Sequence, residues 1–334
     1  MMVKRVFSGI QPTGTLHLGN YFGAVRNWSL MQHEIECFIG IVDYHAITID
    51  VDPQALRQAS IDMALDLLAC GIDADKTALF VQSDVPEHTE LSWILGCVTS
   101  FGDLSRMTQF KDKSEKQEFV STGLFTYPVL QAADILIYKA DGVPVGEDQV
   151  QHLELSRRIA RRFNSRFGET FPEPAPVVPK KGARIMSLSN PEGKMSKSAG
   201  ESHYVGMMEP EASIRKKIRS AVTDMGLETG DQMSPGISNL FEILELATEI
   251  TGEGSLVAEL HDEFRAGALM YSKLKDTVFE QAMAVLRPIQ ERRAKLEASG
   301  DVVDILQTCA ARARVIAQET MTEVRQIVGL GTGV

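Results

Sequence analysis

Short apolar runs that alternate with helical segments place the strongest constraint on the fold of this chain. The run CFIGIVDYHAIT, at 37–48, is apolar almost throughout, as expected for a strand that is buried on both faces. The runs VKRVFSGI, at 3–10, and TALFVQSDV, at 77–85, are also typical of strands. Because helical segments and tight connections separate these runs, the pattern predicts right-handed crossovers and a parallel, doubly wound α/β sheet.

The helices between these strands have recognisable beginnings and ends. Apolar residues recur with helical spacing over 20–33. Asp52 and Pro53 supply an N-cap and a first-turn proline for a helix that runs to Cys70. A third helix is predicted over 87–98, directly after the third strand.

The second half of the chain has a different pattern. The proline-rich segment FPEPAPVVPKK, at 171–181, predicts a stiff connector rather than a strand. The run ARIMSL, at 183–188, predicts one more short strand. From about residue 209 onwards the segments have helical spacing, so we expect an all-helical region after the α/β sheet.

The charge balance argues against a surface that binds nucleic acid along its whole extent. Lysine and arginine number 34 against 45 acidic residues, a net charge of −11, whereas binding by counterion release needs a basic surface. A local basic track is compatible with this balance at 156–166, 214–221 or 290–295. Each of these segments could equally be the solvated face of a helix.

The cysteines and the apolar runs bear on the compartment. Cys37, Cys70, Cys97 and Cys309 are widely spaced and match no zinc-binding pattern, so we expect buried thiols in a reducing cytoplasm. No run approaches the ~18 apolar residues of a membrane span, and the basic start of the chain lacks the long apolar core of a signal peptide. We therefore expect a cytoplasmic protein without a membrane partner.

Two polar segments carry features of a nucleotide site. The first strand leads into SGIQPTGTLHLGNYFGA, at 8–24, a glycine-punctuated turn that opens a helix. Ligands of open α/β sheets bind beyond the carboxyl ends of the strands, where a helix N-terminus attracts phosphate. The turn matches neither the dinucleotide fingerprint nor the P-loop. The second segment, LSNPEGKMSKSAG at 188–200, places two lysines and two serines between Gly193 and Gly200.

These two segments carry a resemblance to a known class of enzymes. The motif HLGN, at 17–20, resembles the HIGH element of class I aminoacyl-tRNA synthetases, and KMSKS, at 194–198, is identical to their second element. The order of the pair along the chain is also that of the class. Further segments, which together span essentially the whole chain, resemble the bacterial tryptophanyl-tRNA synthetases. They are VDYHAIT, RMTQFKDKS, YPVLQAADILIY, VPVGEDQ, GARIMSLSNPEGKMSKS, IRKKIRSAVTD and PGISNL.

The resemblance implies an architecture and an activity. It implies a Rossmann-like catalytic domain over 1–190 that binds ATP and tryptophan and contains a dimer-interface insertion. It places the KMSKS loop and a helical anticodon-binding region over 191–334, where the last helix could pack back on the catalytic domain. The implied reaction activates L-tryptophan with ATP, releases pyrophosphate, and transfers tryptophan to the 3′ end of tRNA(Trp). The implied assembly is a homodimer, in which ELSWILGCV, at 90–98, either packs at the interface or is plain core.

Three alternatives stay open at this point. A tyrosyl-tRNA synthetase is the nearest, since YPVLQAAD, at 127–134, has a Tyr-x3-Gln-x2-Asp spacing that tyrosine enzymes also use. A nucleotide-binding paralogue that has lost tRNA charging is the second, and a ligase for small acids is a weaker third.

The basic helix IRKKIRSAV, with Lys216, Lys217 and Arg219, could serve either tRNA or the ATP site.

The chemistry of activation explains the lysines. The amino-acid carboxylate is already ionised at about pH 7, so this step needs no general base. It needs alignment of the reactants and stabilisation of the charge that moves onto pyrophosphate. The resemblance assigns this role to Lys194, Lys197 and Lys113, and Lys111 is a second lysine beside Lys113. Mg²⁺ is expected to arrive bound to ATP, without a metal site made by the protein.

The resemblance also assigns contacts to individual positions. For ATP, these positions lie after the first strand, in the GEDQ segment and around KMSKS. They are Gln11, Pro12, Thr13, His17, Gly19, Asn20, Gly146, Glu147, Asp148, Ile185, Lys194, Met195, Ser196, Lys197 and Ser198.

For tryptophan, the resemblance makes Asp134 the acceptor for the indole N–H. An indole offers one donor on a large apolar body, so a selective site needs one acceptor in an apolar enclosure. Gln131 is a departure, since several relatives carry methionine there. The other positions around the ring are Phe7, His45, Tyr127, Val143, Val145 and Gln149.

Overall fold

The structure is a computed structural model of the chain. The described residues are 3–110, 119–144, 146, 149–177, 184–223 and 233–332. They form two compact units. The first unit comprises 1–13, 28–180 and 300–334, and the second comprises 14–27 and 181–299.

A five-stranded parallel sheet lies in the first unit, as the sequence predicts. The strands are β1 Arg5–Ile10, β2 Glu36–Ile41, β3 Thr77–Val81, β4 Gly142–Pro144 and β5 Ala175–Val177. Their order across the sheet is β3-β2-β1-β4-β5, and β1 pairs with β2 in a register that places Phe7 opposite Phe38. Strand β1 therefore has a neighbouring strand on each side. The chain leaves its carboxyl end at the place where open parallel sheets bind ligands.

Helices surround the sheet and make up nearly all of the second half of the chain. They are α1 Leu18–Asn20, α2 Arg26–Met31, α3 Asp43–Ala46, α4 Pro53–Ala69, α5 Glu87–Gly96, α6 Phe101–Ser105, α7 Thr122–Leu136, α8 Val150–Phe167, α9 Glu211–Arg219, α10 Pro235–Thr251, α11 Gly254–Arg265, α12 Tyr271–Ser299 and α13 Val302–Val328. A π-helical turn, Tyr21–Val25, separates α1 from α2. The predicted N-cap of α4 is confirmed, since the Asp52 side chain accepts a hydrogen bond from the Ala55 amide at 2.8 Å.

Two predicted strands are shorter in the structure. The run at 37–48 was predicted to be a single strand, but β2 ends at Ile41 and helix α3 follows. The Asp43 carboxylate causes this break, because it accepts hydrogen bonds from the amides of Tyr44, at 3.1 Å, and Ser83, at 3.0 Å. Similarly, β3 ends at Val81 and a 3₁₀ turn continues the chain. Both turns lie at the carboxyl edge of the sheet.

Two other predictions about strands were wrong. The proline-rich segment at 171–181 contains the strand β5, with Pro176 opposite Val143. A proline is tolerated there because β5 is at the edge of the sheet and has only one neighbour. The run at 183–188 forms no strand in its described part, where Met186 makes an isolated bridge to Lys194.

Aromatic side chains fill the core between the sheet and α7. Phe7, Phe38 and Phe80 lie on β1, β2 and β3, and the Tyr138 ring stacks on Phe38 with centroids 4.4 Å apart. The Phe7 ring lies nearly parallel to Tyr138 at 5.8 Å. All four side chains are buried, so the end of α7 is fixed against three strands.

The last helix belongs to the first unit. Helix α13 packs on β3 and α5, and Ala313 is fully buried. Arg314 and Arg325 form ion pairs with Glu87, at 2.9 Å, and Glu90, at 2.7 Å. The first unit therefore includes a helix from beyond residue 190. The helix belongs there because β3 and α5 cover its buried face.

The cysteines follow the prediction with one exception. Cys37, Cys70 and Cys309 are buried, but Cys97 is exposed. The prediction of a buried thiol was wrong for Cys97 because it caps the end of α5, one turn after the exposed Trp93. Within the described ranges, no helix is both long and apolar enough to cross a membrane.

Candidate active site

A cavity of about 390 Å³ opens in the first unit beyond the carboxyl end of β1, within the size range of small-molecule sites. Seven of its residues were predicted to contact tryptophan or ATP: Phe7, Gln11, His45, Tyr127, Gln131, Asp134 and Val143. Gln149, which was also predicted to contact tryptophan, lines the same cavity. The sequence did not single out the others, Ser8, Gly9, Val42, Gln109, Ile135 and Pro144. Most of them neighbour predicted residues, so proximity along the strands is the signal that could have found them.

Asp134 is the buried acid of this cavity. It lies on α7 and is only 1% exposed. His45 Nε2 lies 2.8 Å from its Oδ2, while Gln82 Nε2 and His88 Nδ1 lie 2.6 Å and 2.7 Å from its Oδ1. Burial alone would raise the pKa of Asp134, but the hydrogen bonds from His45 and His88 outweigh it and lower this pKa to about 2. Asp134 is therefore a carboxylate at neutral pH.

The two oxygens of Asp134 have different surroundings. Oδ1 accepts from Gln82 and His88, whereas Oδ2 accepts from His45 alone among the described side chains. Since each carboxylate oxygen can accept about two hydrogen bonds, Oδ2 retains the capacity for one more. Asp134 lines the cavity, so a ligand with one N–H or O–H donor is the natural partner. Sequence reasoning missed Gln82 and His88, which stand on separate elements.

Two other side chains of α7 line the cavity beside Asp134, and each has a polar partner. The Tyr127 hydroxyl lies 2.8 Å from His152 Nε2 and 3.2 Å from Gln109 Oε1. Burial raises the pKa of Tyr127 to about 12, so this residue is a neutral phenol. Gln131, the departure noted in the sequence, donates from Nε2 to Gln149 Oε1 at 3.3 Å. The Gln131 amide thus has a partner within the wall itself.

In the second unit, His17 caps the short helix α1. The Asn20 amide donates to His17 Nδ1 at 3.2 Å, and the His17 amide donates to Asn20 Oδ1 at 3.2 Å. Because Nδ1 is the acceptor, the ring proton lies on Nε2. Burial, together with the charges of Lys197 and Lys194, lowers the pKa of His17 to about 4. His17 is therefore a neutral donor in a positive field.

The two motifs of the sequence meet in this unit. The Leu18 amide donates to the Val205 carbonyl at 3.0 Å, and a Cβ built at Gly19 would lie 3.4 Å from the Met195 Cβ. A Cβ at Gly14, which has φ +72°, would lie 3.0 Å from Lys197 Nζ. Glycines at these positions allow the HLGN turn and KMSKS to approach each other closely. The arrangement presents two ammonium groups and a helix N-terminus, a combination suited to phosphate.

The remaining predicted positions of KMSKS have defined neighbours. Ser196 Oγ and Ser198 Oγ lie 2.9 Å apart, and the Met195 amide donates to the buried Ile185 at 3.0 Å. Sequence reasoning missed Asn239, on α10. Its side chain forms two hydrogen bonds with the backbone of Met186, at 2.8 Å and 2.9 Å, and so fixes the segment that pairs with Lys194.

The other predicted positions divide into two groups. Pro12 is buried, while Gln11 and Thr13 are exposed directly after β1. Gly146 is exposed, and its carbonyl accepts from the Gln149 amide at 3.0 Å. Four predicted positions lie outside the described residues. They are Lys113, Val145, Glu147 and Asp148.

The lowered pKa of His17 predicts an acid-sensitive stability. Below its ordinary pKa of 6.5, His17 takes up a proton in the unfolded chain but stays neutral in the folded chain down to about 4. Stability therefore falls as the pH falls through this window, by about 3 kcal/mol in total. His17→Asn keeps a capping oxygen and does not titrate. Urea unfolding at about pH 7 and about pH 4 should show a smaller loss for the variant, and equal losses would contradict the assignment.

Comparison with known proteins shows relatives along the entire chain. A family model described as tRNA synthetases class I (W and Y) matches residues 3–287. A tryptophan–tRNA ligase of Wolinella succinogenes is 49% identical over 333 residues, which cover 99% of this chain and 100% of the relative.

Solved structures agree with this result. The tryptophanyl-tRNA synthetase of Mycoplasma pneumoniae has a TM-score of 0.89 and 36% identity, covering 99% of both chains. The Campylobacter jejuni enzyme, solved with ADP and tryptophan, has a TM-score of 0.84 and 36% identity, covering 98% of this chain and 100% of the other.

Proposed function

Because this chain belongs to the tRNA synthetases of class I (W and Y), we propose that it is a tryptophan–tRNA ligase. It activates L-tryptophan with ATP to tryptophanyl-adenylate and pyrophosphate, then transfers tryptophan to the 3′ end of tRNA(Trp). The observation that carries the choice of amino acid is Asp134, an ionised acceptor at the wall of a cavity lined in part by aromatic and aliphatic side chains.

The cavity suits an indole ring. Phe7, Val143 and Ile135 supply apolar surface, while Oδ2 of Asp134 has room for one further donor. An indole has one N–H on a large apolar body, so it can satisfy the acceptor without bringing a second polar group that needs a partner. A phenol would also present one donor to Asp134, and tyrosine is therefore the competing substrate that the assay below must exclude.

The activation step follows from the positive site in the second unit. A tryptophan carboxylate oxygen attacks the α-phosphorus of ATP, one P–O bond forms, and the bond to pyrophosphate breaks. Lys194 and Lys197 are proposed to stabilise the charge that develops on the leaving pyrophosphate. The neutral His17, with its proton on Nε2, is proposed to donate a hydrogen bond to a phosphate oxygen. Lys113 is proposed to add a further ammonium group.

ATP is proposed to enter as its magnesium complex. Within the part of the chain that the structure describes, no group of three or more histidine, cysteine, aspartate or glutamate side chains could hold a metal ion. The proposal that phosphate oxygens and water bind most of the magnesium rests on the reluctance of this ion to lose its hydration shell. The proposed location in the cytoplasm stays a prediction from the cysteine pattern.

Exchange of labelled pyrophosphate into ATP tests this function. Exchange that depends on tryptophan, followed by charging of tRNA(Trp), is the expected result. Exchange that depends on tyrosine instead would identify a tyrosine enzyme. Exchange without any tRNA charging would identify a paralogue that activates the amino acid only, and no exchange with either amino acid would refute the proposal.

A homodimer is proposed from the surface of the first unit. Trp93, Phe101 and Phe119 are 78%, 74% and 80% exposed, and large exposed aromatic side chains are typical of protein interfaces. Trp93→Glu should weaken the dimer at least about tenfold, because buried aromatic residues are frequent hot spots. Sedimentation and light scattering at falling concentration would measure this. Val315→Glu, at an exposed position of α13, is the control, and a wild-type protein that is a fully active monomer would contradict the proposal.

The helical region is proposed to read the tRNA anticodon, with α9 as a candidate contact. Two of its cations are engaged within the unit, since Lys217 lies 2.6 Å from Glu209 and Arg219 lies 3.1 Å from Asp276. Lys216 is exposed. Lys216→Gln should weaken tRNA binding and flatten its salt dependence by about one unit in the logarithmic slope, if Lys216 contacts one phosphate. Tryptophan activation without tRNA should be unchanged, and a fall in activation would place α9 at the ATP site instead.

A further inference from the structure

A buried hydrogen-bond chain extends from Asp134 away from the cavity. His88 Nδ1 lies 2.7 Å from Asp134 Oδ1, and His88 Nε2 lies 2.8 Å from the Tyr138 hydroxyl. The side chains of His88 and Tyr138 are fully buried. Neither residue lines the cavity, so neither can touch a ligand there. The polar contact of this hydrogen-bond chain with the cavity is made by Asp134, while the rings of His88 and Tyr138 pack against Phe7, which also lines the cavity.

We propose that His88 is a positioning residue for substrate recognition. Its Nδ1–H bond holds the Asp134 carboxylate so that Oδ2 receives the side-chain donor of the amino acid, and Tyr138 holds His88 in the tautomer that this bond requires. The inference rests on the proposed function, in which Asp134 accepts the indole N–H. It adds a determinant of specificity that lies behind the cavity.

The partners of His88 decide which of its two nitrogens carries the proton of a neutral ring. A neutral imidazole has one donor and one acceptor. A proton on Nε2 of His88 would turn the lone pair of Nδ1 toward the Asp134 carboxylate, which is ionised. Burial and the Asp134 charge raise the pKa of Tyr138, so its hydroxyl keeps its proton and donates to Nε2. The Nδ1–H tautomer is thereby selected, and its donor faces Asp134.

Tyr138, at the end of this hydrogen-bond chain, is held rigidly by aromatic packing. The Tyr138 ring stacks on Phe38 at 4.4 Å and lies against Phe80 at 5.8 Å. His88 itself contacts the Phe80 ring at a centroid distance of 5.9 Å. These phenylalanines belong to adjacent strands. The sheet therefore helps to fix the position of the Asp134 carboxylate, in addition to its own helix. A fixed acceptor discriminates between donors better than a mobile one.

The distribution of donors between the two carboxylate oxygens explains why the loss of His88 should affect ligand binding. Gln82 and His88 both donate to Oδ1, and His45 donates to Oδ2. Without His88, Oδ1 loses one of its two donors, and among the described side chains only Gln82 and His45 still hold the carboxylate. The indole N–H then meets an acceptor of variable position. Selectivity for the N–H should fall more than the binding of the ring.

Two substitutions at His88 separate this role from simple packing. The Asn side-chain nitrogen can occupy the place of Nδ1 and donate to Asp134, whereas the Gln side-chain nitrogen reaches the place of Nε2. His88→Gln should lower kcat/KM for tryptophan roughly tenfold to a hundredfold, mainly through KM, because it loses a hydrogen bond to a charged group. His88→Asn should stay within about threefold of the unmutated enzyme.

The diagnostic measurement is the ratio of kcat/KM for tryptophan to that for its benzothiophene analogue, in which sulfur replaces the ring N–H. The ratio should fall in His88→Gln and be retained in His88→Asn. Tyr138→Phe, which removes a single oxygen, should lower the ratio by a smaller factor and covers the case in which a His88 variant does not fold. Parallel losses for both substrates, or an unchanged ratio in His88→Gln and Tyr138→Phe, would overturn the inference.

The outcomes distinguish this inference from the proposed function. If the unmutated protein shows no tryptophan-dependent exchange, the proposed function fails whatever the variants do. If it activates tryptophan and the ratio does not respond to His88→Gln or Tyr138→Phe, only the positioning role fails.

Discussion

The substitution Asp134→Asn is expected to lower kcat/KM for tryptophan by about 10²- to 10³-fold in the exchange assay. Three donors, from His45, Gln82 and His88, converge on this carboxylate. An amide of the same size has one oxygen and two N–H groups, so at least one of these donors, or the indole N–H, must face another donor. The loss should therefore be much larger than that of a surface acid.

The sulfur analogue makes the Asp134 prediction specific. The unmutated enzyme should reject the analogue, because it cannot satisfy Oδ2, and the variant should lose most of this preference. Phenylalanine has no donor either, so its poor activation should change little. Asp304→Asn, at an exposed position of α13 in the same unit, is a matched control that removes one charge and should leave activation unchanged.

Two results would contradict the Asp134 assignment. Normal activation of tryptophan by Asp134→Asn would make Asp134 a structural acid of α7. An equal loss for tryptophan and for the sulfur analogue would show that the carboxylate organises the cavity without reading the N–H. Thermal unfolding of both variants is needed beside the kinetics, because the carboxylate also satisfies three buried donors.

The order of strands and helices was predictable because it depends on local patterns. The apolar run of β2 and the N-cap of α4 are visible within ten residues of sequence, and both elements form, although β2 ends at Ile41. The strand β5 was missed because its pairing with β4 is a tertiary contact, and the edge position that makes Pro176 acceptable cannot be seen from neighbours in sequence. The exposure of Cys97 was missed because it depends on where α5 ends, one turn after the exposed Trp93.

Some residues of the candidate site could be predicted from the sequence, and others depend on tertiary contacts. Asp134 could be selected from the resemblance and from its apolar neighbours, and HLGN with KMSKS from their order. Gln82 and His88 could not, because they meet Asp134 from a turn after β3 and from α5. Each looks like an ordinary residue of its own segment. Only the packing of these elements shows that three donors meet the acid directly and that Tyr138 lies behind one of them, His88.

The second large effect is expected from Lys197→Ala. Lys197 Nζ would lie 3.0 Å from a Cβ at Gly14, and burial, then the charges of Lys197 and Lys194, lower the pKa of His17 in the HLGN turn where phosphate is proposed to bind. If this field acts on the charge that develops on pyrophosphate, the maximal exchange rate should fall about 10²- to 10³-fold while tryptophan affinity changes little. Lys295→Ala, which removes an exposed lysine from α12 of the same unit, controls for net charge. Equal losses in rate and in tryptophan affinity would mean that Lys197 shapes the fold, and an unchanged maximal rate would remove it from the activation step.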